Sequence, residues 1–146
     1  MEFLIELMEE KDRETVLNMM RTFYASPAVL TNGSETIFTA DIDACVSANP
    51  YLEGYMFRSG EAVLGYGMAA KSFSTEFGKP CVWIEDLYVK PEFRGQGIGS
   101  AFLAHMTQKY PNAILRLEVE AENERAIAVY EKSGFEVLPY MEMKRE

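Results

Sequence analysis

The sequence has few residues from which a metal centre or a disulfide scaffold could be built. Of its 146 residues, two are cysteine and one is histidine. Cys45 and Cys81 lie far apart, form no CxxC pair and have no histidine cluster near them. This spacing suggests neither a zinc motif nor a disulfide framework, and it fits a reducing compartment. We therefore expect chemistry that uses no metal.

Long apolar runs are also absent. No window approaches the ~18 consecutive apolar residues of a transmembrane helix. The N-terminal residues lack the basic stretch and the long apolar run of a secretory signal. The sequence therefore predicts a soluble, cytoplasmic protein with no membrane partner.

Basic residues are in the minority: 14 Lys and Arg stand against 23 Asp and Glu, a formal net charge of −9. Such a charge repels polyanions, so nucleic acid is not an expected partner. The acidic balance favours a cationic substrate, but it is also common on the solvated surface of cytosolic proteins, and composition leaves both open. A length of 146 residues with 48% hydrophobic content predicts one domain, residues 1–146, around one core.

The pattern of strands and helices is typical of an α/β protein with a mixed sheet. Turns around Gly60 and Gly78 separate three strand-like runs, which predicts an antiparallel meander. The predicted strands are residues 3–7, 51–58, 62–70, 81–89, 114–119 and 135–143. Four helices are predicted: the first after a cap at Asp12, the second after a cap at Thr39, the third from 98 to about 110 and the fourth over 124–133. A loop is predicted at residues 26–36.

The most informative segment is Arg-Gly-Gln-Gly-Ile-Gly at residues 94–99, between a strand and a helix. Glycines let a ligand approach the backbone closely, and a helix start offers unpaired N–H groups to an anion. The spacing is GxGxG with no following Lys-Ser or Lys-Thr, so neither a Walker A loop nor the GxGxxG dinucleotide fingerprint is matched. The turn predicts a diphosphate site, with Arg94 as an added positive charge.

Two further groups of residues are candidates for chemistry. Asn123, Ile127 and Tyr130 share one face of the predicted helix, although Asn123 is also an ordinary N-cap and Tyr130 an ordinary core aromatic. Glu85 and Asp86 are adjacent on a strand, so their side chains point to opposite faces. By strict alternation, Glu85 shares a face of the strand with Leu87, and Asp86 shares the other face with Ile84 and Tyr88. Parity alone does not choose between the two carboxylates.

The sequence resembles the GNAT N-acetyltransferase superfamily over about residues 83–135. Residues 94–99 match its Q/R-x-x-G-x-G/A motif, and residues 123–135 match Asn-x-x-Ala-x-x-x-Tyr-x-x-x-Gly-Phe. The stretch Trp-Ile-Glu-Asp-Leu at 83–87 is most similar to the diamine (spermidine/spermine) acetyltransferase branch. The resemblance implies a GNAT fold, in which a mixed central sheet with two splayed parallel strands is flanked by helices.

The same resemblance implies acetyl-CoA as co-substrate and assigns roles to residues. Glu85 is the expected base, directly or through water, and Tyr130 the expected acid that protonates the departing thiolate. The expected coenzyme-binding residues are Leu87, Tyr88, Val89, Arg94, Gly95, Gln96, Gly97, Ile98, Gly99, Ser100, Asn123 and Ile127.

The acceptor substrate is the part of the expected function that the sequence determines least. We expect a small cationic amine such as a polyamine or diamine; a protein or peptide amine and a non-catalytic acyl-CoA-binding sensor are the alternatives. Residues 23–48 and the loop 72–78 carry no motif that fixes the acceptor pocket, so Tyr24, Glu35, Phe73 and Glu76 are only candidates. The single histidine, His105, is interpreted as structural. Dimerisation is common among members of the family, so a homodimer is a further expectation.

Overall fold

The computed structural model describes residues 2–146. In this part of the chain the strands are β1 (Leu4–Leu7), β2 (Leu52–Ser59), β3 (Ala62–Ser74), β4 (Lys79–Val89) and β5 (Ile114–Leu117). The helices are α1 (Arg13–Tyr24), α2 (Glu35–Val46), α3 (Ile98–Lys109) and α4 (Glu124–Lys132), with 3₁₀ turns at Glu10–Asp12 and Pro91–Phe93. None of these helices is long and apolar enough to cross a membrane.

The strands form one sheet in the order β1-β2-β3-β4-β5. The first three pairings are antiparallel, while β4 and β5 run parallel and are joined by α3. The parallel ladder extends from Cys81 opposite Ile114 to Ile84 opposite Leu117. Because β4 continues to Val89 while β5 ends at Leu117, the two strands part at this point, as the family resemblance implies.

Helices cover both faces of the sheet. On one face, α1 and α2 bury Val16, Met20 and Ile42 against Tyr66 and other side chains of the sheet. The other face packs on α3 and α4, and its core includes the following side chains of the sheet and of α3: Tyr55, Phe57, Leu64, Ala69, Val82, Ile84, Ile98, Phe102, Leu103 and Met106.

A β-bulge interrupts β4 at Glu85. Met68 pairs with Asp86 and Ala69 pairs with Ile84, so Glu85 has no register partner on β3. One extra residue reverses the alternation of faces. Ile84 therefore belongs to the core on the α3 side, whereas Tyr88 belongs to the core on the α1 side. The predicted shared face of Asp86, Ile84 and Tyr88 is wrong for this reason.

Two glycines of β3 allow close packing next to the free end of β4. A Cβ atom at Gly65 would lie 2.0 Å from the Tyr88 carbonyl oxygen, and one at Gly67 would lie 2.6 Å from the Phe102 ring. Neither position has room for a side chain. Helix α3, which carries Phe102, therefore lies directly against the strand pair in which Gly67 faces Leu87.

The predicted start of the second helix is wrong. Helix α2 begins at Glu35, and the Ser34 hydroxyl caps it by accepting a hydrogen bond from the Ile37 N–H at 3.2 Å. Thr39 lies inside the helix. Serine ranks above threonine as an N-cap. The predicted loop at residues 26–36 is correspondingly shorter.

The predicted last strand, residues 135–143, is also wrong. Within residues 133–146 no strand is formed. Pro139 lacks the N–H that a sheet ladder needs, which disfavours pairing in the middle of this segment. Val137, Met141 and Met143 remain 85–92% exposed, so the apolar side chains that suggested a strand are not buried by the fold.

Candidate active site

The separation of β4 from β5 leaves backbone groups of β4 open on one side. The Lys90 N–H donates to the Leu64 carbonyl at 2.8 Å, which makes these two residues a hydrogen-bonded pair of the β3–β4 ladder. Hydrogen-bonded and non-hydrogen-bonded pairs alternate along an antiparallel ladder. The N–H and C=O groups of Leu87 and Val89 therefore point away from β3, toward the space beyond the end of β5.

The glycine turn after β4 presents free amide groups at the start of α3. Gly95 and Gly97 have φ angles of 78° and 82°, a region that favours glycine. Gly97 is the N-cap of α3 and has no side chain to occupy the first-turn N–H groups. Ile98 is 2% exposed and anchors the helix start in the core. The turn is thus an exposed set of donors at the positive end of a helix.

Arg94 is oriented by the strand end that precedes the turn. Its Nε donates to the Val89 carbonyl at 2.8 Å, and its guanidinium lies 5.7 Å from the centre of the Tyr88 ring. These contacts use one edge of the guanidinium and leave the side chain exposed. The remaining N–H groups can face an anion bound at the turn.

Sequence reasoning missed Arg125. A Cβ atom built on Gly95 would lie 3.8 Å from the Arg125 Nη2, so α4 brings a second guanidinium to the glycine turn. The only sequence feature that pointed to Arg125 was its position in the first turn of the helix capped by Asn123. That signal was insufficient because the position of Arg125 depends on the packing of α4 against α3.

Glu85 occupies the bulge of β4, and its side chain is exposed. Neighbouring atoms nevertheless remove part of its hydration. This desolvation, reinforced by the charges of Asp86, Asp41 and Glu142, raises the pKa of Glu85 above the ordinary value. A carboxylate with a raised pKa is a stronger proton acceptor near neutral pH.

Asp86 points to the opposite side and is 4% exposed. Its carboxylate accepts hydrogen bonds from the Tyr66 hydroxyl at 2.6 Å and from the Tyr24 hydroxyl at 2.9 Å. Burial raises the pKa of Asp86, and the two hydroxyls oppose that effect. Asp41 lies in the same region, where burial and then the charge of Asp86 raise the pKa of Asp41 to about 6.

Helix α4 places Tyr130 on the α3 side of the sheet. The Asn123 side chain caps the helix by accepting from the Ala126 N–H at 3.3 Å, which is the structural role that the sequence allowed. The Tyr130 ring packs 6.1 Å from that of Phe135, and burial raises the pKa of Tyr130. Within residues 2–146 its hydroxyl makes no hydrogen bond, yet no buried polar side-chain atom there lacks a partner, so the hydroxyl is accessible to solvent.

The C-terminal segment adds carboxylates beside β5. The neighbouring Glu142 carboxylate, with partial desolvation, raises the pKa of Glu118 to about 7. The charge of Glu142 also acts on Glu85. Sequence reasoning missed Glu142 because the fold of residues 133–146 was predicted incorrectly.

The acceptor candidates are only partly brought together. Tyr24 lies at Asp86, but Glu35 is exposed and paired with Arg21 at 2.5 Å, and Phe73 is 63% exposed. Glu76 accepts a hydrogen bond from Tyr140. His105 packs edge-on against Tyr55 at 5.7 Å, in keeping with a structural role.

The Tyr88 side chain lies on the opposite side of the sheet from α3, the helix that follows the glycine turn. It is 5% exposed and packs on Phe23 and Tyr66 in the core on the α1 side. By the same alternation its backbone N–H and C=O face β3, so neither the side chain nor the polar backbone groups of Tyr88 point into the space between β4 and β5. Among the described residues, no group of three or more His, Cys, Asp or Glu side chains has a geometry suited to a metal ion.

The Acetyltransferase (GNAT) family profile matches residues 14–135, and the chain belongs to this family. It is 41% identical over 78 residues to thialysine N-epsilon-acetyltransferase from Bos taurus, a match that covers 51% of this chain and 45% of that protein. It is 43% identical over 53 residues to [ribosomal protein bS18]-alanine N-acetyltransferase from Escherichia coli K12, covering 34% and 36%. The chain spans about half the length, or less, of these curated relatives.

Solved structures share the fold over the whole chain. A possible acetyltransferase from Clostridium difficile 630 superposes with a TM-score of 0.84 at 20% identity, covering 99% of this chain and 97% of that one. The aminoglycoside N-acetyltransferase AAC(6')-Iy in complex with CoA gives a TM-score of 0.81 at 16% identity, covering 99% and 95%. At these identities the likeness concerns the fold.

The predicted family and the predicted α/β fold with a mixed sheet are confirmed. The roles assigned to Glu85, Tyr130 and the coenzyme-binding residues stay predictions. So do the single-domain organisation, the cytoplasmic location, the homodimer and the absence of a metal.

Proposed function

We propose that this chain is an acetyl-CoA-dependent N-acetyltransferase that acts on a primary amine, specifically a small cationic amine such as a polyamine or diamine. One observation carries the proposal. The open N–H and C=O of Leu87 and the open N–H of Val89 lie next to the uncapped start of α3, where two parallel strands separate. Membership of the GNAT family supports the same reading of these groups.

The coenzyme would lie along this line of donors. Its diphosphate would contact the amides of residues 95–100, with Arg94 and Arg125 supplying positive charge. Its pantetheine arm would pair with the backbone at residues 87–89. Asn123 and Ile127 of α4 would contact the arm from the other side, leading the thioester toward Tyr130.

The reaction follows from the groups at that end. The amine nitrogen attacks the thioester carbonyl carbon and forms the C–N bond, while the Leu87 N–H stabilises the negative charge that develops on oxygen. The C–S bond then breaks. Glu85 accepts, directly or through water, the proton that the ammonium group loses before attack. Tyr130 donates a proton to the CoA sulfur, and the second proton released from nitrogen as the amide forms replaces it on Tyr130 through water.

The energetic demands are within the reach of these groups. An amine of pKa ~10.4 must give up a proton at a cost of about 4.6 kcal/mol at pH 7 before its lone pair can attack, so a nearby proton acceptor is required. A tyrosine near pKa ~10 and a thiol near ~8.5 differ by about 2 kcal/mol. Local electrostatics can offset a gap of this size.

Negative charge near Glu85 supports a cationic acceptor. Asp41 and Asp86 lie on the α1 side of β4, and Glu118 and Glu142 lie beside β5. The net charge of −9 acts in the same direction by raising the local concentration of cations. The name of the Bos taurus relative, thialysine N-epsilon-acetyltransferase, also denotes an acceptor with a side-chain amine.

A second candidate is acetylation of a protein or peptide amine. It is favoured by the similarity of 53 residues to [ribosomal protein bS18]-alanine N-acetyltransferase. A non-catalytic acyl-CoA sensor would retain the glycine turn but would have no use for an accessible tyrosine hydroxyl on α4.

Calorimetry with acetyl-CoA tests the coenzyme assignment. The wild-type chain should bind, and Gly97→Ala should weaken binding by about tenfold, because a side chain at φ 82° strains the turn that presents the amides. Gly60→Ala is the matched control: Gly60 also has positive φ, 59°, with nothing within 4 Å of the added Cβ, but it lies in the β2–β3 turn. Its affinity should stay within twofold. No uptake by the wild-type chain at millimolar acetyl-CoA would contradict the proposal.

Thiol release from acetyl-CoA across a panel of amines tests the acceptor. Spermidine and short diamines should give kcat/KM at least tenfold higher than an alkyl monoamine or a peptide with a free N-terminal alanine, because only the former carry a second ammonium group. The preference should shrink as salt is raised, since exposed charges are screened. A preference for the peptide favours the second candidate, and coenzyme uptake without turnover of any amine favours the sensor.

A further inference from the structure

Asp86 is a buried carboxylate that the proposed chemistry does not use. It is 4% exposed, and among the described residues it forms no ion pair with Lys, Arg or His. The other buried carboxylate, Asp12, is paired with Arg58. Removing a carboxylate from water without a cationic partner is unfavourable. Stability alone therefore does not account for an aspartate at this position.

Two tyrosines from different elements hold the Asp86 carboxylate. Tyr66 of β3 donates to one oxygen at 2.6 Å, and Tyr24 at the end of α1 donates to the other at 2.9 Å. Both rings are fixed by aromatic neighbours, Tyr66 by Phe23 at 6.4 Å and Tyr24 by Phe38 at 5.1 Å. The carboxylate is thus anchored to the rest of the fold through both of its oxygens.

The anchor lies beside the bulge, where β4 is paired on one side only, with Met68 of β3 opposite Asp86. Asp86 is the first residue after the bulge at Glu85, and beyond Ile84 the strand has no partner on the β5 side. A bulge locally disrupts the ladder that would otherwise fix the peptide planes. The Leu87 N–H belongs to the peptide that follows Asp86, so rotation about the Asp86 backbone turns this N–H directly.

We propose that Asp86 is a positioning residue, which, through its hydrogen bonds to Tyr24 and Tyr66, fixes the backbone after the bulge so that the Leu87 N–H points at the thioester carbonyl. The inference rests on the proposed function. Asp86 is not the proton acceptor, because both of its oxygens already accept hydrogen bonds and solvent does not reach it. The contact with Tyr24 also ties the end of α1 to β4, so one carboxylate sets both the oxyanion donor and the adjacent wall of the cleft.

The test uses the binary complex with acetyl-CoA labelled with ¹³C at the thioester carbonyl, so that no acceptor is needed. In the wild-type chain, hydrogen bonding from the Leu87 N–H should move the carbonyl infrared band to lower frequency than in free acetyl-CoA. Tyr66→Phe keeps the ring and removes one anchor. It should lose at least half of that shift and at least tenfold in kcat, with the Kd for acetyl-CoA within twofold of wild type.

Tyr55→Phe is the matched control. Tyr55 is 1% exposed and donates to the Glu53 carboxylate at 2.8 Å, but it lies in the core on the α3 side. It should lose a similar amount of thermal stability while its band shift and kcat stay within twofold of wild type. A wild-type band shift in Tyr66→Phe overturns the positioning role whatever happens to kcat.

The Asp86 variants provide a rescue test. Asp86→Asn keeps an oxygen that can accept from one tyrosine, so it should retain at least fivefold more kcat than Asp86→Ala. Equal losses in the two variants would overturn anchoring as the role of Asp86. If the wild-type chain takes up no acetyl-CoA, the proposed function fails and the inference fails with it; uptake with a normal band shift in Tyr66→Phe rejects the inference alone.

Discussion

Replacing Tyr130 by phenylalanine should lower kcat for acetyl transfer by about 10²–10⁴ while the Kd for acetyl-CoA changes by less than twofold, if Tyr130 is the general acid. The phenylalanine ring keeps the packing against Phe135. Because the Tyr130 hydroxyl makes no hydrogen bond within residues 2–146, its removal leaves no protein group unpaired. The expected loss is therefore chemical rather than structural. Single-turnover thiol release and calorimetry measure the two quantities separately.

Tyr110→Phe provides the control for this substitution. Tyr110 is half-buried like Tyr130, but its hydroxyl donates to Glu53 at 2.7 Å, away from the cleft. This variant should lose more thermal stability than Tyr130→Phe and retain its kcat. The raised pKa of Tyr130 keeps the hydroxyl protonated across the neutral range, so the wild-type rate should show no alkaline decline below the ordinary tyrosine pKa of ~10. A Tyr130→Phe rate equal to wild type removes the acid role.

The coenzyme half of the candidate site was predictable because its signals are local in sequence. The left-handed backbone at Gly95 and Gly97, the uncapped start of α3 and the cap at Asn123 each depend on a few consecutive residues. Glycine and asparagine are selected at such positions by backbone geometry. The separation of β4 from β5 followed from the family resemblance rather than from any residue pattern.

The acceptor half was not predictable because distant residues build it. Tyr24 and Asp86 are 62 positions apart, and the bulge that directs Asp86 toward Tyr24 leaves no mark in the alternation of residues 83–89. A single extra residue reverses the faces of a strand, so an argument from parity fails wherever a bulge is unrecognised. Glu142 was missed for a similar reason, since Pro139 prevents the strand that its neighbours suggest.

The different surroundings of Glu85 and Asp86 are a physical consequence of that bulge. Without it, strict alternation would place the Asp86 side chain on the same side as Ile84, facing α3, and the Glu85 side chain on the α1 side. With it, Glu85 becomes an exposed residue with no partner on β3, and Asp86 turns into the core on the α1 side. One residue is left free to exchange protons with solvent, and its neighbour is held by two hydroxyls.

Replacing Glu85 by glutamine should lower kcat/KM for amine acetylation by about 10² or more at pH 7, the range expected for loss of a general base. Only ionised Glu85 can accept a proton. Since desolvation and neighbouring carboxylates raise the pKa of Glu85, the wild-type kcat/KM should rise with pH through a value above the ordinary ~4.3, and the glutamine variant should lack this step. Glu61→Gln, an exposed change in the β2–β3 turn, should leave the profile unaltered.

A general-base role for Glu85 also predicts how the Glu85→Gln variant behaves at high pH. Near the amine pKa of ~10.4 about half of the acceptor is already neutral, so the free energy of deprotonation that Glu85 offsets at pH 7 largely disappears. The rate of Glu85→Gln should therefore approach that of wild type as the pH is raised from 7 to 10, and the ratio of their kcat values should fall by at least tenfold. A constant ratio over this range, with the deficit in KM rather than kcat, would mean that Glu85 binds the ammonium group of the acceptor and leaves the proton to water.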